Sequence, residues 1–163
     1  MTTPNLKAER TQLVVFRVGG DTYAVEVFSV ERVLRYEKPR PIPNVPAWLD
    51  GVIDYGGEAV PVIDLRTRFD LPSSLDVGHA RVLVFTVDGR RIAATVDSVD
   101  EIVTVEAAAL EDPPPIVNGL ARQYLRALLR RDDVVTVVLD IAQLLNSRER
   151  IVLDKAMAET TNG

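Results

Sequence analysis

With 163 residues, 47% of them hydrophobic and 26% charged, the chain has the makeup of one packed domain, or two very small ones sharing a core. It has no cysteine, which excludes disulfides, thiolate nucleophiles and cysteine-ligated metals, and its formal charge of −5 argues against a nucleic-acid partner. No apolar run reaches the ~20 residues that a membrane-spanning helix needs, and the polar start of the chain lacks the apolar core of a signal peptide. A cytoplasmic protein with no direct membrane insertion is the expectation.

In chain order, residues 1–10 read as a flexible tail and residues 11–158 as a single domain. Val14, Phe16 and Val18 alternate on one face of a strand. Gly19-Gly20 then supplies a tight turn, and Tyr23, Val25 and Val27 alternate on the return. From Val27 the spacing changes to Val27, Val30, Val33 and Leu34, which predicts a short helical turn. Pro39, Pro41, Pro43 and Pro46 force extended, turn-rich chain, with Pro46 opening a short helix through Trp48 and Leu49 that ends at Gly51. Val52–Tyr55 and Glu58–Ile63 form a hairpin around Gly56-Gly57. Pro61 marks its second strand as an edge or a bulge. Asp64 precedes a short helical stretch and can cap it.

After a linker the pattern recurs. Leu13-Val14-Val15-Phe16-Arg17-Val18-Gly19-Gly20 is echoed by Val82-Leu83-Val84-Phe85-Thr86-Val87-Asp88-Gly89, 69 residues on. Val60-Pro61-Val62-Ile63-Asp64-Leu65 is echoed by Thr136-Val137-Val138-Leu139-Asp140-Ile141, 76 residues on. The extra residues fall near Pro113-Pro114-Pro115, where a loop insertion costs little. A duplicated chain follows, with halves at about 11–72 and 80–145, a C-terminal helix at about 147–158, and a fraying tail at 159–163. Short strands at this spacing predict a mainly all-β fold of two small, closed or nearly closed β-units, the halves sharing a hydrophobic seam.

Chemistry-bearing residues are sparse. His79 sits in the linker with no second ligand at metal spacing, and reads as a solvated loop residue. Asp64 and Asp140 read as caps, and Asp54 and Asp97 as turn or strand-end residues. Gly51–Gly57 lacks the lysine of a phosphate loop. Arg35, Lys38, Arg40, Arg66 and Arg68 read as a solvated face. The chain is therefore expected to be no enzyme and to need no cofactor. An enzyme using His79 with Asp54 or Asp64 is one competing reading. A nucleic-acid barrel using Tyr36 between Arg35 and Lys38 is another. Val27, Val30, Val33, Val96 and Val99 line either a groove between the units or their shared core.

The run Phe16-x-x-Gly-x-x-x-Tyr23-Ala24-Val25-x-Val27, with Val30-Glu31-x-Val33, Pro43-x-x-Pro46, Gly51-Val52-Ile53 and Val60–Leu65, resembles the CheW family of bacterial chemotaxis coupling proteins. In the second half Val96-Asp97-x-Val99, the Pro113-Pro114 step and Leu144-Leu145-Asn146-Ser147 agree, so the match covers residues 12 to about 155. The resemblance implies two SH3-like five-stranded β-barrels around a common core, and no catalysis. It implies an adaptor, or scaffold, between the cytoplasmic tips of methyl-accepting chemotaxis receptors and the regulatory domain of the histidine kinase CheA, with CheW-like self-association into rings. Carried over residue by residue, the receptor groove would involve Val27, Val30, Val33, Gly51 and Val99. The kinase surface would involve Ile42, Val45, Val52, Asp54, Gly56 and Val60. The family commonly has Asn-Leu-Arg-Gly where this chain has Asp54-Tyr55-Gly56-Gly57, and a glycine where it has Ala127. A divergent scaffold serving a pathway other than motility therefore stands beside the main reading.

Overall fold

The computed structural model describes residues 10–71, 76–117 and 120–162. The first hairpin is β1 (Arg10–Val18) and β2 (Asp21–Glu26). A single 3-10 turn, Val27–Ser29, leads into β3 (Val30–Arg35). A second hairpin, β4 (Leu49–Tyr55) and β5 (Glu58–Ile63), runs into the one-turn helix α1 (Leu65–Arg68). The order then repeats as β6 (Arg81–Val87), β7 (Arg90–Val96) and β8 (Ser98–Glu106), continued by the short β9 (Leu110–Glu111). A small pair, β10 (Ile116–Val117) and β11 (Leu120–Ala121), precedes β12 (Leu125–Arg131) and β13 (Val134–Leu139). A 3-10 turn, Ile141–Gln143, and the helix α2 (Ser147–Asn162) finish the chain.

The four long hairpins share one turn chemistry. Each has two central residues in the left-handed region: Gly19-Gly20, Gly56-Gly57, Asp88-Gly89 and Asp132-Asp133. That geometry matches the twist of the flanking strands. Registers repeat with the sequence. Phe16 pairs with Tyr23 as Phe85 pairs with Ile92, and Leu49 with Ile63 as Leu125 with Leu139. Both β4 and β12 carry a bulge at the same place, after Leu49 and after Leu125.

The repeats do not fold side by side; they exchange hairpins. One sheet has the order β8-β1-β2-β13-β12-β9 and the other β3-β6-β7-β5-β4. Thus β1–β2 of the first repeat completes the unit built by β8, β12 and β13 of the second, and β6–β7 does the reverse. Each unit is held by one parallel pairing, Val137–Val138 against Tyr23–Ala24 and Val62–Ile63 against Ala93–Ala94. Because β9 continues β8 and pairs with β12, the first sheet runs round on itself (unit A). In the second (unit B), the residues after β3 reach back to β4 through the Arg40–Val52 bridge. Each unit therefore has five strands when β8 and β9 are taken as one bent strand.

Three apolar clusters result. Leu13, Val15, Ala24, Val105, Ala127, Leu129 and Val138 fill unit A. Ile53, Val60, Val62, Val82, Val84 and Ala93 fill unit B. Between them lies the largest cluster, around Phe16, Tyr23, Phe69, Phe85 and the inner face of α2. Alternation explains the division, since Val14 and Phe16 face the seam while Leu13 and Val15 face into unit A.

Several local expectations change. Val27–Leu34 is one 3-10 turn followed by a strand. A bulge between Val30 and Arg32 shifts the alternation and imitates helical spacing. Val96, Val99 and Ile102 likewise lie on strands. Pro46 opens a single turn, closed by Leu49 N–H to Pro46 O at 3.0 Å, and Gly51 lies inside β4. The strand with Pro61 is interior; Pro61 stands one residue before the ladder with β7 begins at Val62. Helix α2 continues to Asn162, past the expected end at 158, since Ala156, Ala158 and Glu159 favour helix. Of the expected tail at residues 1–10, Arg10 instead begins β1, paired with Glu106, and residues 1–9 lie outside the described residues.

Candidate functional site

The residues singled out for docking fall into separate environments. Val27 lies on the 3-10 turn, Val30 opposite Phe85, and Val99 opposite Phe16. Val30 and Val99 are counterparts in the two repeats. All three are half-buried against the central seam, so each offers part of its surface outward and part to the core. Val33, opposite Leu83, is 43% exposed. Burial thus differs residue by residue: Val96 is core, Val33 is exposed, and the other three are half-buried.

Gly51 has a different role from the one expected. It is buried at φ +151°, and a Cβ there would lie 2.2 Å from the Arg40 carbonyl oxygen. The backbones of Arg40 and Val52 exchange two hydrogen bonds over it, at 2.8 and 2.9 Å. Glycine is needed so that the chain after β3 can close unit B.

Of the second set, Val52 and Val60 are corrected to buried positions: Val60 lies with Ile53 in the core of unit B, and Val52, on the alternate face of β4, is covered where the chain at Arg40 pairs with it. Ile42 and Val45 are half-buried against the seam. Asp54 and Gly56 are exposed at the β4–β5 tip, where Asp54 Oδ1 accepts the Gly57 N–H at 3.1 Å.

Beside that tip is a charged cluster that the sequence reading missed. Arg91, on β7, donates from Nε to Glu31 Oε1 at 2.9 Å and from Nη1 to Glu58 Oε1 at 2.5 Å. Tyr55 donates its hydroxyl to Glu31 Oε2 at 2.8 Å, and its ring lies 5.5 Å from the Arg91 guanidinium. The hydrogen bonds from Arg91, then that from Tyr55, hold the Glu31 carboxyl below its ordinary range. The hairpin register could have found Arg91, because pairing with Thr86 places it outward.

The arginines expected on a solvated face are corrected too. Arg68 points into the seam, where only 11% of its side chain is exposed. Its Nε and Nη2 donate to the Leu144 carbonyl at 3.0 and 2.7 Å, and Nη1 to Glu149 Oε2 at 2.6 Å. Its guanidinium lies 5.6 Å from the Trp48 ring and 5.8 Å from the Tyr124 ring. Trp48 and Tyr124 are counterparts, as are Arg68 and Leu144, so the guanidinium sits where the two halves meet about their pseudo-twofold axis. Arg66 bonds to Asp97. Their apolar counterpart positions, Leu144 and Ala142, are the signal that these arginines do not simply face solvent.

The capping aspartates are where expected. Asp64 Oδ1 accepts from Arg66 N–H at 3.0 Å and Thr67 N–H at 3.2 Å, and Asp140 Oδ1 from Ala142 N–H at 3.2 Å. His79 is exposed and meets Asp76 at 2.7 Å. Among the described residues no three His, Asp or Glu side chains gather as metal ligands. Tyr36 is half-buried, packed against the unit B core. No helix among the described residues is long and apolar enough to cross a membrane.

Comparison with known proteins adds family membership to this geometry. Residues 12–149 match the model of the CheW-like domain. The chain is 27% identical over 145 residues to the chemotaxis protein CheW of Treponema pallidum (strain Nichols), spanning 86% of this chain and 85% of that one. It is 26% identical over 147 residues to the chemotaxis protein CheW of Bacillus subtilis (strain 168), spanning 89% and 94%. The crystal structure of the scaffolding protein TtCheW from Thermoanaerobacter tengcongensis superposes with a TM-score of 0.81 at 24% identity, over 86% of this chain and 92% of that one. At that identity the superposition speaks for the fold.

Proposed function

The chain belongs to the CheW-like domain family, and on that premise we propose that it is a non-enzymatic adaptor that couples methyl-accepting chemotaxis receptors to the regulatory domain of the histidine kinase CheA. It acts in the cytoplasm, beneath membrane receptor arrays. The observation that carries the reading is the seam between two exchanged barrels. Val27, Val30 and Val99 there are held by the core yet left partly open, with Val33 exposed on the same strand as Val30. An apolar strip fixed on a rigid scaffold suits the apolar face of a receptor helix. The kinase would be met at the β4–β5 tip, by Asp54 and Gly56 with Ile42 and Val45 behind them. Arg91 supplies beside that tip the cation that Gly56 does not. CheW-like copies would associate through the same barrel ends in rings.

Titration calorimetry against a receptor cytoplasmic fragment and a kinase regulatory domain tests the reading. Binding to at least one is expected, and binding to neither overturns it. Val30→Asp should weaken the receptor complex at least about tenfold while leaving the circular dichroism spectrum unchanged, because a half-buried strand residue at an interface loses its apolar contact. Arg91→Ala should weaken the kinase complex and spare the receptor complex.

A further inference from the structure

The internal symmetry pairs each site in one repeat with a counterpart in the other, and one pair differs in kind. After β7, Asp97 accepts the Gly19 N–H at 2.9 Å and bonds the guanidinium of Arg66, which reaches across from α1. The Arg66 side chain is only 11% exposed there. The counterparts of Asp97, Gly19 and Arg66 are Phe28, Asp88 and Ala142. At this second place a methyl group stands where the first has an arginine, and a cavity of about 230 Å³ remains, bounded by Phe28, Glu26, Asp88, Arg126, Asp140 and Ala142.

The boundary of the cavity selects its occupant. Three carboxylates meet two guanidiniums at its edge, which leaves one carboxylate, Asp140, without a cationic partner among the described residues. Glu26 is engaged by Arg126 at 2.5 Å, and Asp88 by Arg150 at 2.7 Å. Asp140 uses Oδ1 on the Ala142 N–H, and no hydrogen bond to its Oδ2 occurs among the described residues. Phe28 is 82% exposed, the highest among the exposed large apolar side chains described, and it stands on a 3-10 turn whose neighbours Val27 and Val30 are anchored in the seam. A planar cation with several donors fits an acidic rim beside an aromatic face. A guanidinium stacks on such a ring and forks to carboxylates, while a lysine ammonium is a compact, strongly hydrated point charge.

We propose that this cavity receives an arginine side chain from a partner protein, in the place that Arg66 fills in the other half but with Phe28 and Asp140 as its contacts. The arginine would stack on Phe28 and bond Asp140, giving a docked segment a polar anchor beside Val27 and Val30. The argument uses the internal symmetry and charge of this chain, and stands apart from the identity of receptor or kinase.

The test is an amide chemical-shift titration of the full-length protein with N-acetyl-arginine amide. N-acetyl-citrulline amide (equal in shape, without charge) and N-acetyl-lysine amide serve as controls. Shifts confined to residues 26–29, 86–88 and 140–142 are expected with the arginine compound and not with citrulline, with the lysine compound several-fold weaker. Ala142→Arg should abolish the response by filling the cavity from within. Phe28→Ala, a change at an exposed turn that leaves folding intact, should weaken it about tenfold. If Ala142→Arg does not fold, Phe28→Ala carries the test alone. Scattered shifts, an equal response to citrulline or lysine, or an unchanged response in Phe28→Ala overturns the proposal. So does self-association that Phe28→Ala abolishes, which would assign the cavity to an arginine of a second copy.

Discussion

Replacing Arg68 by alanine should cost the protein about 3 kcal/mol, because one guanidinium ties together parts of both repeats. It holds the Leu144 carbonyl, the Glu149 carboxylate at the start of α2, and the faces of Trp48 and Tyr124. Removing one partner of a buried ion pair typically costs ~3–5 kcal/mol, and each cation–π contact adds roughly 0.5–1 kcal/mol. Against this, Glu149 keeps the Asn146 N–H at 2.9 Å and lies at a helix N-terminus, where negative charge is favoured. That places the estimate at the lower end, a fall in Tm of about 10 °C for a chain of this size. The loss should depend on pH. Burial pushes the Glu149 carboxyl up, but the hydrogen bonds from Arg68 and the Asn146 N–H outweigh it, so the pKa is lowered from 4.5. A lowered carboxyl pKa contributes stability above the unfolded value, and that contribution is lost as pH falls through the folded one. The gap between wild type and Arg68→Ala should therefore be wide at pH 7 and narrow toward pH 3. Scanning calorimetry at both values checks it. A Tm change under about 3 °C at pH 7, or an equal gap at both, refutes the role given to the pair.

Gly51→Ala should destabilise by about 3 kcal/mol or prevent folding, since its Cβ would meet the Arg40 carbonyl oxygen at 2.2 Å and part the two strands there; chemical denaturation reads this. Asp133→Gly should raise Tm by about 3 °C, because Asp133 sits at φ 66° in a turn that prefers glycine. Asp64→Ala should cost about 1–2 kcal/mol and Asp140→Ala about half as much, by urea unfolding, as Asp64 also accepts the Thr67 hydroxyl at 2.8 Å. Fragments 1–75 and 76–163 should each lack native near-ultraviolet dichroism alone and regain it when mixed, since each barrel draws a hairpin from both.

The hairpins were legible because their evidence is local. Alternating valines and paired turn residues specify strand, register and turn within about fifteen residues. The two aspartate caps were legible for the same reason, and their recurrence 76 residues apart made the duplication visible. The exchange of hairpins was not, because Val62–Ala93 and Val138–Ala24 are contacts between distant segments that no local pattern records. The spacing of Val27, Val30 and Val33 misled because one 3-10 turn and one bulge together mimic a helix. Val52 and Val60 were assigned to a surface by the family resemblance, which marks a hairpin and does not say which of its residues are covered. Arg68 was placed in solvent because its partners come from the other repeat.

Duplication supplies two scaffolds that begin equal, so interactions that both halves need should survive in both, and specialised ones should appear where the halves differ. The capping aspartates, the bulges in β4 and β12 and the parallel pairings recur. They hold each unit closed. The differences concentrate at a few places. Arg68 faces Leu144 and locks the seam, and α2 packs on β5. Arg66 closes one junction, while Ala142 leaves its counterpart open beside Phe28. Gly56-Gly57 and Asp132-Asp133 give the two hairpin tips unlike charge. A symmetric pair of barrels would present each surface twice and could not tell one partner from another. These departures remove that degeneracy, so each barrel end offers a distinct surface on a frame that neither half can form alone.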